Sequence, residues 1–232
     1  MNKARFFVVI HALTGHYGLS HAISQTKIAK DSGADGVLLI PDYEKGFEKK
    51  ATSEDLVLFF KIIEQKVPGF PIGLNFLRKS GEVSKHVYAT KPNFLQSDAS
   101  SIEGIDLNKI SSTELFCGVA FKYSRNENLS GEKLKEHCEK VSSICHVPTT
   151  SGTATGRSAS TSKIKEVRSY LPVEKRLGIA SGVDDKNIKT YLDLGVTDFL
   201  VATSLIDHVD ENECDILDTK KVHNLSEIIH KH

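Results

Sequence analysis

The sequence predicts an α/β fold, a (β/α)8 TIM barrel built as a single domain over residues 1–232. Three observations predict it. Eight short apolar runs recur along a chain of 232 residues, and eight βα units need roughly 200 residues or more. Most of these runs are continuous rather than alternating, as parallel strands covered on both faces should be. Polar stretches with helical spacing separate them, and a β-then-α rhythm implies right-handed crossovers and a parallel sheet.

The strands are read, in order, at Phe6–Leu13, Gly36–Pro41, Pro71–Leu77, Asn93–Ser97, Leu115–Lys122, Ile144–Thr149, Arg176–Ala180 and Asp198–Ala202. The first helix shows the stripe Ile23, Ile28 and Ala29 and ends at Gly33, a suitable residue just past a helix terminus. The next carries Leu56, Phe59, Phe60 and Ile63, with Ser53 as N-cap and Glu54 and Asp55 in its first turn. Further stripes are Leu134, Cys138 and Val141, then Ile164, Val167 and Leu171. Another, Ile188, Tyr191, Leu192 and Leu194, follows Asp184 and Asp185 and closes at Gly195. Between Ser100 and Thr113 the periodicity is weak, so the fourth helix is expected to be short or missing. After the eighth strand, Asp207–Lys221 reads as a polar, acidic excursion before a last helix near Asn224–His230. An open Rossmann-like sheet is the rival, but the first turn lacks GxGxxG and the strand count reaches eight.

Charge and composition narrow the function classes. Lys plus Arg and Asp plus Glu both total 30, so no net field draws the protein to nucleic acid or an anionic membrane. With no Trp and 7% aromatic residues, there is no stacking platform for single strands. The apolar stretch Phe6–Ile10 is too short for a signal peptide or a membrane span. Cys117, Cys138, Cys145 and Cys214 show no CxxC spacing, so buried reduced thiols in a reducing, cytoplasmic compartment are expected. Neither a structural metal nor a disulfide is expected to hold the fold. Whether the chain forms a homo-oligomer stays open.

In a barrel of this class the C-terminal ends of the strands carry function. The loop after strand six, Thr149 to Gly156, combines glycines with hydroxyl residues. Gly152, Thr153 and Gly156 can present backbone N–H groups to an anion. Strand seven runs into Ser181-Gly182 and then a helix expected to begin near Asp185, whose first N–H groups suit an oxyanion. Strand eight ends at Thr203-Ser204. The loops after strands seven and eight lie side by side in a closed barrel and frequently form its phosphate grip. Asp184 and Asp185 oppose a phosphate there unless they face outward as caps.

These segments resemble the C-terminal motifs of the BtpA/SgcQ family of phosphate-binding barrels. The resemblance is carried by Gly152-Thr153-Ala154-Thr155-Gly156, by Ile179-Ala180-Ser181-Gly182-Val183 with Asn187, and by Val201-Ala202-Thr203-Ser204-Leu205. Val9-Ile10-His11, Gly33-Ala34-Asp35-Gly36 and Pro71-Ile72-Gly73-Leu74-Asn75 fall in matching order. The sequence departs from the family in lacking Glu-Asn after strand two and the Pro-rich signature of the first loop. The resemblance implies the same fold and a phosphate-binding mouth.

Five side chains at strand ends can do chemistry or orient a substrate. Asp98 closes strand four and can serve as a general base if burial raises its pKa. Asp42 closes strand two, as a second carboxylate of an acid/base pair, a Mg2+ ligand or a simple turn residue. Lys122 can hold a phosphate or form a Schiff base. His11, at the end of strand one, can move a proton near pH 7. Asn75 cannot act as a base but can orient a substrate by hydrogen bonding. His11, His16 and His21 alone do not make a metal site.

Two functions compete. One is an enzyme acting on a small phosphorylated sugar or ribosyl-type metabolite by general acid/base catalysis: a lyase, isomerase or hydrolase. The other is a non-catalytic module that holds a nucleotide, a sugar phosphate or a partner protein on the same scaffold. Convergence of Asp42, Asp98 and Lys122 in one pocket favours the enzyme. Replacing Gly182 by Glu is expected to weaken phosphorylated ligands while leaving the fold intact.

Overall fold

The computed structural model describes residues 3–42, 49–77, 80–102 and 105–232. Eight parallel strands close on themselves in chain order, with β8 hydrogen-bonded to β1. They are β1 (Arg5–Ala12), β2 (Gly36–Pro41), β3 (Ile72–Leu74), β4 (Phe94–Asp98), β5 (Glu114–Gly118), β6 (Val147–Ser151), β7 (Gly178–Ala180) and β8 (Asp198–Val201). Each expected strand is present. Two boundaries move in ways that shape the mouth. β5 stops at Gly118, four residues before Lys122, and the chain then turns through Ala120 and Tyr123 at φ 44° and 62°. Ile144 belongs to a helix, and β6 instead continues to Ser151.

The helices are α1 (Gly15–Asp31), α2 (Ser53–Lys66), α3 (Ser80–Thr90), α4 (Gly131–Ile144), α5 (Thr161–Ser169), α6 (Ile188–Asp193) and α7 (Thr219–Lys231). Their apolar stripes are buried against the outside of the sheet. The N-cap of α2 is Thr52 rather than Ser53: its hydroxyl accepts the Asp55 N–H at 3.0 Å, and Asp55 returns the bond to the Thr52 N–H. Between β4 and β5 the described residues form only 3-10 turns, Ala99–Ser101 and Leu107–Ile110, so the fourth helix is degenerate as expected. The acidic excursion is an antiparallel hairpin of β9 (Ile206–Val209) and β10 (Asp215–Leu217).

Inside the barrel the side chains form layers. Phe7, Phe94 and Phe116 pack at centroid distances of 4.7 to 5.7 Å, with Leu38, Val147 and Leu200 completing the layer. Gly73 makes room for them, because a Cβ there would lie 2.1 Å from the Phe94 ring. Below this layer, charge closes the N-terminal mouth. Asp198 is fully buried and receives Arg5 Nε at 2.6 Å and Arg176 Nε at 2.8 Å, while Arg5 forks onto Glu114 at 2.8 and 2.9 Å. Above it, the barrel opens.

Candidate functional site

A cavity of about 620 Å3 occupies the C-terminal mouth, directly over Val9, Leu38, Ala180 and Leu200. Its size falls in the range of small-molecule sites, roughly 300–1,000 Å3. Asp98, Lys122, His11 and Asn75 all line it, and so do Ser181, Gly182, Thr203, Ser204 and Gly156. Gly152, Thr153 and Asp42 do not. Gly152 is packed beneath the next turn, where a Cβ would meet Arg157 O at 1.8 Å, and Thr153 is exposed. Asp42 is buried outside the lining, its N–H bonded to Ala12 O at 3.1 Å. Asp98 and Lys122 therefore converge, and Asp42 stands apart. Among the described residues no cluster of three or more His, Cys, Asp or Glu side chains is placed to hold a metal ion.

Asp98 ends β4 with its carboxylate against Gly118 of β5; a Cβ on that glycine would meet Asp98 Oδ1 at 2.9 Å. Among the described residues nothing donates a hydrogen bond to this carboxylate. Burial raises its pKa above the ordinary carboxylate value, partly offset by His137 on α4. A half-buried carboxyl without donors, facing a cavity, is suited to taking a proton from a ligand.

Lys122 is held by its backbone N–H on Ser151 Oγ, 2.8 Å away, and its ammonium reaches Thr155 Oγ1 at 3.2 Å. The turn that carries it is tied down by Lys163, whose Nζ donates to Ala120 O and Ser151 O. Lys122 thus leans toward the loop after β6, the side on which β7 and β8 follow.

His11 ends β1, and its Nδ1 lies 3.0 Å from Asp215 Oδ2 on the hairpin. A carboxylate at Nδ1 favours the proton there and leaves Nε2 as the basic nitrogen. Asp215 also accepts from His21 Nε2 through its carbonyl at 2.8 Å, and Leu217 N–H donates to Gln25 Oε1 at 2.9 Å. The hairpin is therefore a packed support for His11. Sequence reading missed Asp215, because its partner is 204 residues away.

The loops after β7 and β8 meet through Ser204, whose hydroxyl donates to Val183 O at 2.6 Å. The expected helix near Asp185 begins at Ile188 and has six residues. Asp184 explains the delay: its carboxylate accepts the N–H groups of Lys186 and Asn187, both at 3.0 Å. That cap consumes the donors a helix terminus would have offered, so any anion here must use the turn itself. Ser181 and Gly182 sit at φ 78° and 62°, and among the described residues the N–H groups of Gly182 and Val183 have no protein acceptor.

Gly182 also supports the roof. A Cβ there would lie 2.3 Å from Arg157 C and from Ser158 N. Gly182→Ala is expected to lower stability by on the order of 1–3 kcal/mol, through positive φ and this backbone collision. Urea unfolding measures it, and an unchanged midpoint would refute the close packing. Gly182→Glu consequently perturbs the fold as well as the site and cannot isolate ligand binding.

No protein-family model matches the sequence, and no curated protein matches it; the BtpA/SgcQ likeness remains one of short motifs. Solved structures do match across nearly the whole chain. Thiamine phosphate pyrophosphorylase from Pyrococcus furiosus has a TM-score of 0.67 at 12% identity, covering 99% of this chain and 97% of its own. Phosphoribosyl anthranilate isomerase from Thermus thermophilus has a TM-score of 0.66 at 13% identity, covering 96% of each chain. Orotidine 5'-phosphate decarboxylase from Pyrococcus horikoshii has a TM-score of 0.61 at 11% identity, covering 97% of each. The fold is a TIM barrel. At these identities the likeness speaks to the fold alone.

Proposed function

We propose that the protein is an enzyme that acts on a small phosphorylated metabolite of sugar or ribosyl type by general acid/base catalysis at the C-terminal mouth. One observation carries this reading: Asp98, Lys122 and His11 line the same cavity as Ser181, Gly182, Thr203 and Ser204. The turn after β7 supplies backbone N–H groups and the turn after β8 a hydroxyl, with Lys122 as counter-charge from the β5 side. Asp98 takes the proton. His11, held by Asp215, returns or relays it. The motifs that resemble the BtpA/SgcQ family fall on these turns, and the barrels it resembles in fold are named for phosphate-bearing molecules. Four buried free thiols suit a reducing compartment, the cytoplasm. Among the described residues no helix is long and apolar enough to cross a membrane.

A thermal-shift titration with ribose 5-phosphate tests the grip. Ligand at 100 times its Kd adds about 2.7 kcal/mol of stability, and Lys122→Ala is expected to weaken binding by roughly tenfold to a hundredfold. Ribose, without the phosphate, should give no shift. A shift of equal size with ribose, or one unaffected by Lys122→Ala, would remove the phosphate from this site. Binding without turnover of any phosphorylated compound would move the reading to a non-catalytic module.

A further inference from the structure

Leu77 and Tyr123 are large side chains left open to solvent, 49% and 69% exposed. Both also sit at positive φ, 50° and 62°, where a residue with a Cβ is disfavoured. Neither is a loose end. Asn75 Oδ1 accepts the Leu77 N–H at 2.8 Å, and the Glu127 carboxylate accepts that of Tyr123 at 2.9 Å. Thr155 N–H reaches the Tyr123 hydroxyl at 3.4 Å. The fold therefore holds two exposed hydrophobic side chains on strained backbone at the rim of a cavity. Strain and exposure of this kind cluster at ligand clamps.

The clamp stands over β4. Leu77 follows β3 and Tyr123 follows β5, so they rise on either side of it, with Phe121 facing the same space. The floor between them is Gln96 of β4, which accepts a hydrogen bond from Asn75 Nδ2 through its Oε1. That bond assigns Nε2 of Gln96 as a donor, and among the described residues no protein acceptor takes it. In a closed ring of eight strands, β3 to β5 lie across from β7 and β8. The cavity thus has one end where Leu77, Phe121 and Tyr123 stand over the Gln96 amide and the Asp98 carboxylate of β4 and, opposite, an end of small polar residues.

Resting on the phosphate reading above, we infer that the substrate is a phosphate ester carrying an aromatic or heteroaromatic ring. The ring lies over β4 between Leu77 and Tyr123, with a ring carbonyl or nitrogen accepting from Gln96. The phosphate lies at Ser181, Gly182, Thr203 and Ser204. A plain sugar phosphate would leave the Leu77 and Tyr123 side chains as wet as they are in the free protein.

Calorimetric titration with inorganic phosphate, ribose 5-phosphate and uridine 5'-monophosphate separates the two ends. The nucleotide should bind about tenfold or more tightly than ribose 5-phosphate, and both more tightly than phosphate. In the double variant Leu77→Gly, Tyr123→Gly the nucleotide and ribose 5-phosphate should bind with equal affinity. Glycine accepts positive φ, so the melting temperature should hold. Equal affinity of the parent for the nucleotide and ribose 5-phosphate would overturn the ring site and leave the phosphate site standing. A nucleotide preference that survives in the double variant would do the same. Failure of all three ligands to bind would overturn both.

Discussion

Replacing Asp198 by alanine is expected to destabilise the protein by up to about 3–5 kcal/mol, because it leaves two half-buried guanidinium groups without the buried carboxylate they share. Asp198 is fully buried; its Oδ1 accepts Arg5 Nε, Arg176 forks onto both of its oxygens, and Thr197 Oγ1 adds a bond at 2.6 Å. Burial of Arg5 opposes its charge, but Glu114 and Asp198 outweigh that and raise its pKa. Asp198→Asn keeps the shape and one acceptor oxygen, so it should cost less than the alanine variant. Chemical denaturation of the parent and both variants reads the difference. An alanine variant within about 1 kcal/mol of the parent would mean that water or relaxed arginines replace the carboxylate, and that the network does not close the barrel. Phosphate affinity should be retained in whichever variant folds, since the network lies at the opposite end from the cavity.

What could be read in the sequence, and what could not, follows from how far each feature reaches along the chain. Eight strands were legible because a doubly covered parallel strand writes itself as a continuous apolar run. The third helix was not: its described buried face is Val83, His86 and Val87, and a polar histidine fills a stripe position by stacking on Phe76 at 5.3 Å. Gly118-Val119-Ala120-Phe121-Lys122 is apolar enough to pass as strand, yet its last residues form the turn that presents Lys122. Nothing local marks a positive φ at alanine or tyrosine. Asp98, Lys122, His11 and Asn75 could be placed at the mouth from sequence because the end of an apolar run is a local feature. Their partners were missed because Asp215, Gln96 and Thr155 reach them only after folding, from 204, 21 and 33 residues away. Asp42 shows the converse, since a strand-end carboxylate can be buried outside the cavity lining.

Asp98→Asn should make the protein more stable at neutral pH and at the same time nearly inactive, and the pH dependence ties the two effects to one carboxyl. Burial raises the pKa of Asp98 in the folded state. The fold therefore favours the neutral acid: its contribution to stability is present below the unfolded pKa and is lost as pH rises through the raised folded value. Once ionised, this carboxylate is partly desolvated and among the described residues has no protein donor, which is a net cost. Asparagine removes that cost while keeping the size of the side chain, so the variant should melt a few degrees higher at pH 7, with ~1 kcal/mol worth roughly 2–4 °C in a domain of this size. Below about pH 4 the parent is protonated as well, and the two melting curves should converge. Turnover should move the other way. If Asp98 is the base of the proposed reaction, its amide cannot take a proton, and rate losses of about 10²–10⁴ are typical of a lost general base. Binding of ribose 5-phosphate should survive, because the phosphate end lies across the cavity from β4. A variant that turns over substrate at the parental rate would remove Asp98 from the chemistry. One that melts lower at pH 7, or keeps a constant offset from pH 4 to pH 8, would show that the carboxylate is stabilised in the fold by partners rather than held ready for a ligand.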